Sequence, residues 1–146
     1  MAIDLRPFQL ADKSFLYKLY SDTRADELAA WNWSEEQQDA FLKQQFVAQQ
    51  RSYDALPNAD HQIILKDGRP IGRIIVIRND EEIRLVDVAL LAEWRNQGIG
   101  TSLIQALLSE AKSDGKPMKL QVLNTNRAIR LYQRMGFEIV GENGMY

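Results

Sequence analysis

The sequence predicts one α+β domain built on a single mixed sheet, and three observations carry that expectation. Apolar spacing switches between period two and period 3.6 along the chain. The resulting order is a strand, two helices, three strands, then a β-α-β-α-β run whose first strand is the third of those three. Strand 82–91 leads through a helix into strand 118–123, a crossover that joins parallel neighbours. The 146 residues suit one compact core, and the few prolines and glycines fall between periodic segments, so 1–146 reads as one domain.

Each element has its own warrant. "AIDLRPFQ" alternates as a strand does. Asp12 is placed to cap a helix with Phe15, Leu16, Leu19 and Tyr20 on its apolar face. Ser34 and Gln37 have the spacing of a capping box. The helix they open carries Leu42, Phe46, Tyr53 and Leu56 on one side. Its glutamines (Gln37, Gln38, Gln44, Gln45, Gln49, Gln50) read as a solvated face.

"HQIILK", the turn "DGRP" and "IGRIIVI" make a hairpin, and "EIRLVDVALL" follows as the next strand. Leu103, Ile104, Leu107, Leu108 and Ala111 then recur at helical spacing until Gly115 and Pro117 stop them. "MKLQVL" is a strand, "NRAIRLYQRM" a helix ended by Gly136, and "FEIV" a further strand.

Composition narrows the function. Eighteen basic and 20 acidic side chains give a net charge of −2, which weighs against a nucleic-acid binder working by bulk electrostatics. There is no cysteine and only His61, at the start of an apolar strand. Disulfides, thiolate zinc and a cysteine nucleophile are therefore excluded, and no metal site is expected. The N-terminus lacks the basic start and apolar core of a secretion signal, and no apolar run approaches a membrane span. A cytoplasmic protein without membrane contact is the expectation.

The most informative stretch is "RNQGIGTSLIQALL", residues 95–108. Gly98 and Gly100 stand where a strand gives way to a helix. A helix N-terminus carries unpaired N–H groups and partial positive charge, and glycine lets an anion approach that backbone. Arg95 and Thr101 add a cation and a hydroxyl. Two readings stand on this stretch alone: a pyrophosphate cradle, or a strand-to-helix turn with no ligand. It is not an NTPase loop, because Thr101-Ser102 follows the last glycine without a lysine. Nor is it a dinucleotide fingerprint, because Leu103 stands where a third small residue belongs, and Met118 and Lys119 where an acid belongs.

A second segment, "NRAIRLYQRMGF" at 126–137, lies one strand later. Together with "VALLAEWRNQGIG" at 88–100 it resembles the GNAT family of acyl-CoA-dependent N-acetyltransferases. The Arg-x-x-Gly-x-Gly and Ala-Ile-x-Leu-Tyr-x-x-x-Gly-Phe patterns occur in that family's order and separation. The element order matches over nearly the whole chain. The resemblance implies a central mixed, mostly antiparallel twisted sheet flanked by about four helices. It also implies a splayed parallel strand pair at the acetyl-CoA site.

It further implies roles for individual residues. Backbone N–H groups of Asn96, Gln97, Gly98, Ile99, Gly100 and Thr101 hold the pyrophosphate beside Arg95. The edge at Val88, Ala89 and Leu90 pairs with the pantetheine arm and polarises the thioester carbonyl. Tyr132 protonates the departing thiolate, as a phenol with a pKa near about 10 can. Core packing is the plain alternative for Tyr132. Asn124 and Asn126 flank Thr125, the usual place of a cofactor-binding asparagine. Asp87 is the acid within the strand before the first motif and so the candidate general base. Its flanking Val86 and Val88 equally suit a carboxylate held by loop N–H groups or an arginine.

Acetyl-CoA is the implied co-substrate and a small-molecule or peptide amine the implied acceptor; a homodimer is consistent with the family. The acceptor is expected to meet "DTRADELAAWNWSEE". There Asp22, Asp26, Glu27, Glu35 and Glu36 suit a cationic amine and Trp31 and Trp33 suit a pocket wall. Helix-start charge and core aromatics explain the same residues. Arg127, Arg130 and Arg134 fall on one side of the second-motif helix, toward CoA phosphates or solvent. The family closes with a strand after a turn such as "GENG". Ending at "MY", the chain leaves that strand very short or supplied differently. Two rivals to a metabolite acetyltransferase remain: a non-catalytic acyl-CoA-binding or regulatory module, and an enzyme acting on a protein or a tRNA-borne amino group.

Overall fold

The computed structural model describes residues 3–29, 32–120, 136, 139–141 and 144–145. Among them a seven-stranded sheet runs β1 (Ile3–Pro7), β2 (Ala59–Lys66), β3 (Arg69–Arg78), β4 (Ile83–Leu90), β5 (Met118–Leu120), β7 (Gly144–Met145), β6 (Ile139–Gly141), in that spatial order. Neighbours pair antiparallel except β4 and β5, which run parallel as the crossover required. The closing strand is the very short one: two residues, set between β5 and β6.

Helices α1 (Lys13–Ala29) and α2 (Glu35–Asp54) cover one face, and α3 (Ile99–Ser113) covers the other. Successive residues of β2 show the division. Ile63 packs with Leu16, Leu19, Tyr20, Leu42 and Phe46, whereas Ile64 packs with Ile104, Leu107 and Ala111. The period-two alternation thus feeds two separate apolar clusters.

Local chemistry sets the boundaries. Ser34 and Gln37 form the expected reciprocal capping box. Asp67 and Gly68 turn the β2–β3 hairpin with φ of 51° and 83°, the positive pair that a two-residue hairpin loop needs. Gly115, at φ 66°, ends α3: its N–H reaches the Lys112 carbonyl, and the Lys116 N–H reaches that of Ala111.

Three expectations change. Asp12 does not open α1 as a cap; it closes a 3-10 turn, Leu10–Asp12, that leads into the helix. Its carboxylate accepts from the Gln9 N–H at 2.8 Å and from Arg6 at 2.7 and 2.8 Å, because a buried carboxylate needs the cation more than the helix needs a cap. Leu56 falls past the end of α2, which stops at Asp54. The glutamine-rich face of α2 is not uniformly solvated, since Gln49 and Gln50 are half-buried and bonded to Arg73. The helix expected over 126–135 lies outside the described residues.

Candidate active site

The site begins at the end of β4. The chain makes a 3-10 turn, Ala92–Trp94, passes Asn96 at φ 60°, and enters α3 at Gly98, its N-cap, at φ 82°. Gly98 supplies no capping side chain, and the first helical bond runs from the Ser102 N–H to the Gly98 carbonyl at 2.9 Å. The N–H groups of Ile99, Gly100 and Thr101 therefore have no acceptor within the helix. A Cβ added at Gly98 or Gly100 would meet nothing within 4 Å, so the space beside these two glycines is open. Such a terminus attracts an anion.

Side chains brace this loop from behind. Arg95 donates its Nε to the Leu90 carbonyl at 2.9 Å, and a terminal nitrogen lies 3.6 Å from Asp22 of α1. Asp22 also accepts from the Ala92 N–H at 2.5 Å, and Gln97 donates to the Glu93 carbonyl at 2.7 Å. The Arg95 charge is thus engaged inside the loop, which it shapes. Asp22, considered for the acceptor, fastens α1 to that same loop.

Strand β4 carries a bulge just before its last turn of chain. Ile75 faces Asp87 and Val76 faces Leu85, which leaves Val86 as the extra residue. Pairing with β5 covers Ile83–Leu85 alone, so among the described residues Val86–Leu90 has no strand partner on that edge. The opposite edge is pressed hard against β3. A Cβ at Gly72 would lie 2.2 Å from the Ala89 carbonyl oxygen and 2.8 Å from Leu90, so this close approach requires glycine.

Asp87 stands at the bulge, on the face covered by α1 and α2. Arg73 of β3 donates its Nε to Asp87 Oδ2 at 2.9 Å. The same guanidinium donates to Gln50 Oε1 at 2.7 Å and to Gln49 Oε1 at 2.6 Å, and its Cζ lies 4.9 Å from the Tyr53 ring centre. Tyr53 of α2 also stands beside Asp87, near enough for each to act on the other's proton affinity. The Arg73 side chain is 7% exposed and that of Asp87 24%, so the carboxylate opens toward solvent and the cation does not. Burial pushes the Asp87 carboxyl above the usual carboxylate range, against the pull of Arg73. Burial, then the Asp87 charge, pushes the Tyr53 phenol up to about 12. The carboxylate thus combines a raised proton affinity with partial exposure and one fixed cation beside it.

An open helix N-terminus, a bulged strand edge and a partly open carboxylate thus lie along one short stretch of chain. The model of the GNAT acetyltransferase family matches residues 14–137. The chain belongs to the GNAT family of acetyltransferases. It is an enzyme of the acyltransferase class. An uncharacterized N-acetyltransferase of Bacillus subtilis, YjcF, is 26% identical over 106 residues, covering 72% of this chain and 75% of its own. The PaiA N-acetyltransferase of Thermoplasma acidophilum, solved with coenzyme A, superposes with a TM-score of 0.67 at 20% identity, covering 99% of this chain and 97% of that one. A GNAT acetyltransferase of Elizabethkingia anophelis, solved with acetyl-CoA, gives 0.57 at 20% identity, over 95% and 78%. These structural likenesses concern the fold.

Of the residues expected to make the GNAT site, Asp87 to Leu90 and Arg95 to Thr101 lie on β4 and the loop into α3. Tyr132, Asn124, Asn126, Thr125, Arg127, Arg130 and Arg134 lie outside the described residues, as does Trp31. Asp26 and Glu27 fall within α1, with side chains outside that description. Glu35 and Glu36 are exposed in the first turn of α2, and Trp33 is 41% exposed with its ring edge-on to Phe41 at 5.5 Å. No helix among the described residues is long and apolar enough to cross a membrane.

Arg73, Gln49 and Gln50 were missed as site residues. A signal existed: Arg73 interrupts "IGRIIVI" as Asp87 interrupts "RLVDVAL", one opposite charge in the interior of each of two consecutive strands. Such charges are rarely buried unpaired. The glutamines gave no comparable sign.

Proposed function

We propose that this chain is an N-acetyltransferase that moves the acetyl group of acetyl-CoA to a primary amine by direct attack on the thioester. The observation that carries this reading is the uncapped, open N-terminus of α3 at Gly98, set one short turn beyond a bulged strand edge that holds Asp87. The relatives solved with coenzyme A and acetyl-CoA support it. Acetyl-CoA supplies the activated acyl group. The N–H groups of Ile99, Gly100 and Thr101 hold its pyrophosphate, helped by the backbone of Asn96 to Gly98, while Arg95 keeps the loop in shape. The edge at Val88 to Leu90, unpaired among the described residues, aligns the pantetheine arm and offers an N–H to the carbonyl oxygen.

Asp87 accepts the proton of the incoming ammonium, so that the amine nitrogen bonds to the carbonyl carbon as the carbon–sulfur bond breaks. Tyr132 protonates the leaving thiolate, the second proton of the attacking nitrogen replaces the one that Tyr132 gives up, and Asn124 and Asn126 flank the cofactor. No thiol is available for an acyl-enzyme, which agrees with direct attack. The acceptor is a small-molecule or peptide amine met by α1 and α2, and neither a metal nor a nucleic acid takes part.

Thermal unfolding with acetyl-CoA, CoA, ATP and NAD in parallel tests the cradle. A ligand at 100 times its dissociation constant adds about 2.7 kcal/mol, a visible rise in midpoint. A rise with both CoA species alone supports the reading, and a rise with ATP or NAD instead ends it. Tyr132→Phe separates catalyst from binding module: the catalyst slows by about tenfold or more and still binds CoA.

A further inference from the structure

The Arg73 clamp has a composition that simple packing does not require. Its guanidinium meets three oxygen acceptors, from Gln49, Gln50 and Asp87, and only Asp87 is an anion. Glutamate at 49 or 50 would bond the same nitrogens more strongly, but it would also share the cation's charge. Neutral amides orient the fork and leave its whole charge facing one carboxylate. Arg73 engages Oδ2 alone, so the fork does not close over both carboxylate oxygens. Among the described residues, Arg73 from β3, Tyr53 from α2 and the Val88 N–H act on Asp87. Beyond them lies Tyr20 of α1, whose hydroxyl accepts from Arg24 at 2.7 Å.

We propose that Arg73 is a positioning residue for the transfer step: fixed by Gln49 and Gln50, it aims the Asp87 carboxylate at the bulge and ties it to the last turns of α2. This rests on the reading of Asp87 as the base. A displacement of α2 would therefore also move the guanidinium on which the base depends. Lysine at 73 keeps the charge but cannot reach three acceptors in fixed geometry.

The test pairs a direct titration with a rate. The side-chain carboxyl of Asp87, assigned by its loss in Asp87→Asn, is followed against pH by carbon NMR in the wild type, Gln49→Glu and Arg73→Lys. The pH profile of kcat/KM is measured on the same proteins. Gln49→Glu sits on the half-buried face of a helix and serves where Arg73→Lys fails to fold. Its added anion should raise the Asp87 midpoint and lower kcat/KM about tenfold more at the acid end of the profile than at the alkaline end. A merely structural clamp would lower stability and leave the rate profile unmoved. A midpoint unmoved in every folded variant overturns the clamp and leaves the transferase reading intact. A midpoint that moves while the rate profile does not, or in a protein that transfers nothing, overturns the role in transfer and removes Asp87 as base.

Discussion

The loop entering α3 and the cluster around Asp87 lie along one strand, yet they manage charge by opposite means. At α3 the charge to be met in the proposed function is the ligand's, and the donors are backbone N–H groups beside two glycines. Around Asp87 the charge belongs to the protein and is met by side chains from α2 and β3, with the cation buried and the carboxylate partly open. A backbone cradle is fixed by chain geometry and has no proton to lose. A side-chain cluster is tuned by burial and can exchange one. The first suits holding, the second chemistry.

That contrast breaks most sharply at Asp87. Asp87→Asn keeps the shape and removes the proposed base, so kcat/KM should fall by about 10²- to 10⁴-fold while the thermal rise with acetyl-CoA persists. A variant that retains more than a tenth of the rate would return Asp87 to the role of a structural counterion for Arg73. Because burial raises the proton affinity of this carboxyl, the wild-type rate should fall on the acid side at a pH above the ordinary carboxylate value of 3.8.

Gly98→Val gives the reverse pattern, and a smaller one. A β-branched residue at φ 82° is strained by about 1–2 kcal/mol, and its methyls stand over the open donors. Affinity for acetyl-CoA should drop about tenfold or more, with kcat at saturation little changed. Equal losses in kcat for the two variants would mean that holding and chemistry are not separable here.

The two regions also differed in how far the sequence exposed them. The cradle is contiguous, 95–101, and its glycines mark a backbone requirement that can be read locally. So is the fold that carries it. Alternation in "HQIILK" and "IGRIIVI", the Asp67-Gly68 turn and the Gly115 stop each act within a few residues. The Asp87 cluster draws on Gln49, Gln50, Tyr53 and Arg73, brought together by a bulge at Val86 and by the packing of α2 on the sheet. Neither leaves a local trace: a one-residue bulge changes which side chains face each other without changing the alternation rule. Gly72 belongs with the second group. It looks like a flaw in a strand until β4 is known to press against it.

Asp12 supplies the smallest effect and the sharpest control, because it is a buried aspartate tuned the other way. Its bonds to Arg6 hold the carboxyl below the ordinary value of 3.8, whereas burial holds Asp87 above it. A lowered folded pKa contributes stability that is fully present above 3.8 and is lost as the pH falls through the lower folded value. A raised one has the opposite sign: the fold loses stability as the pH rises from 3.8 toward the folded value. Asp12→Asn should therefore cost about 1–2 kcal/mol at neutral pH, discounted for an Arg6 side chain that is 33% exposed. The gap to wild type in urea unfolding should close as the pH falls below about 4, with the rate of transfer unchanged throughout. A gap that stays constant with pH would assign the loss to the Gln9 N–H rather than to Arg6. A matching loss of transfer would mean that the turn before α1 reaches the site.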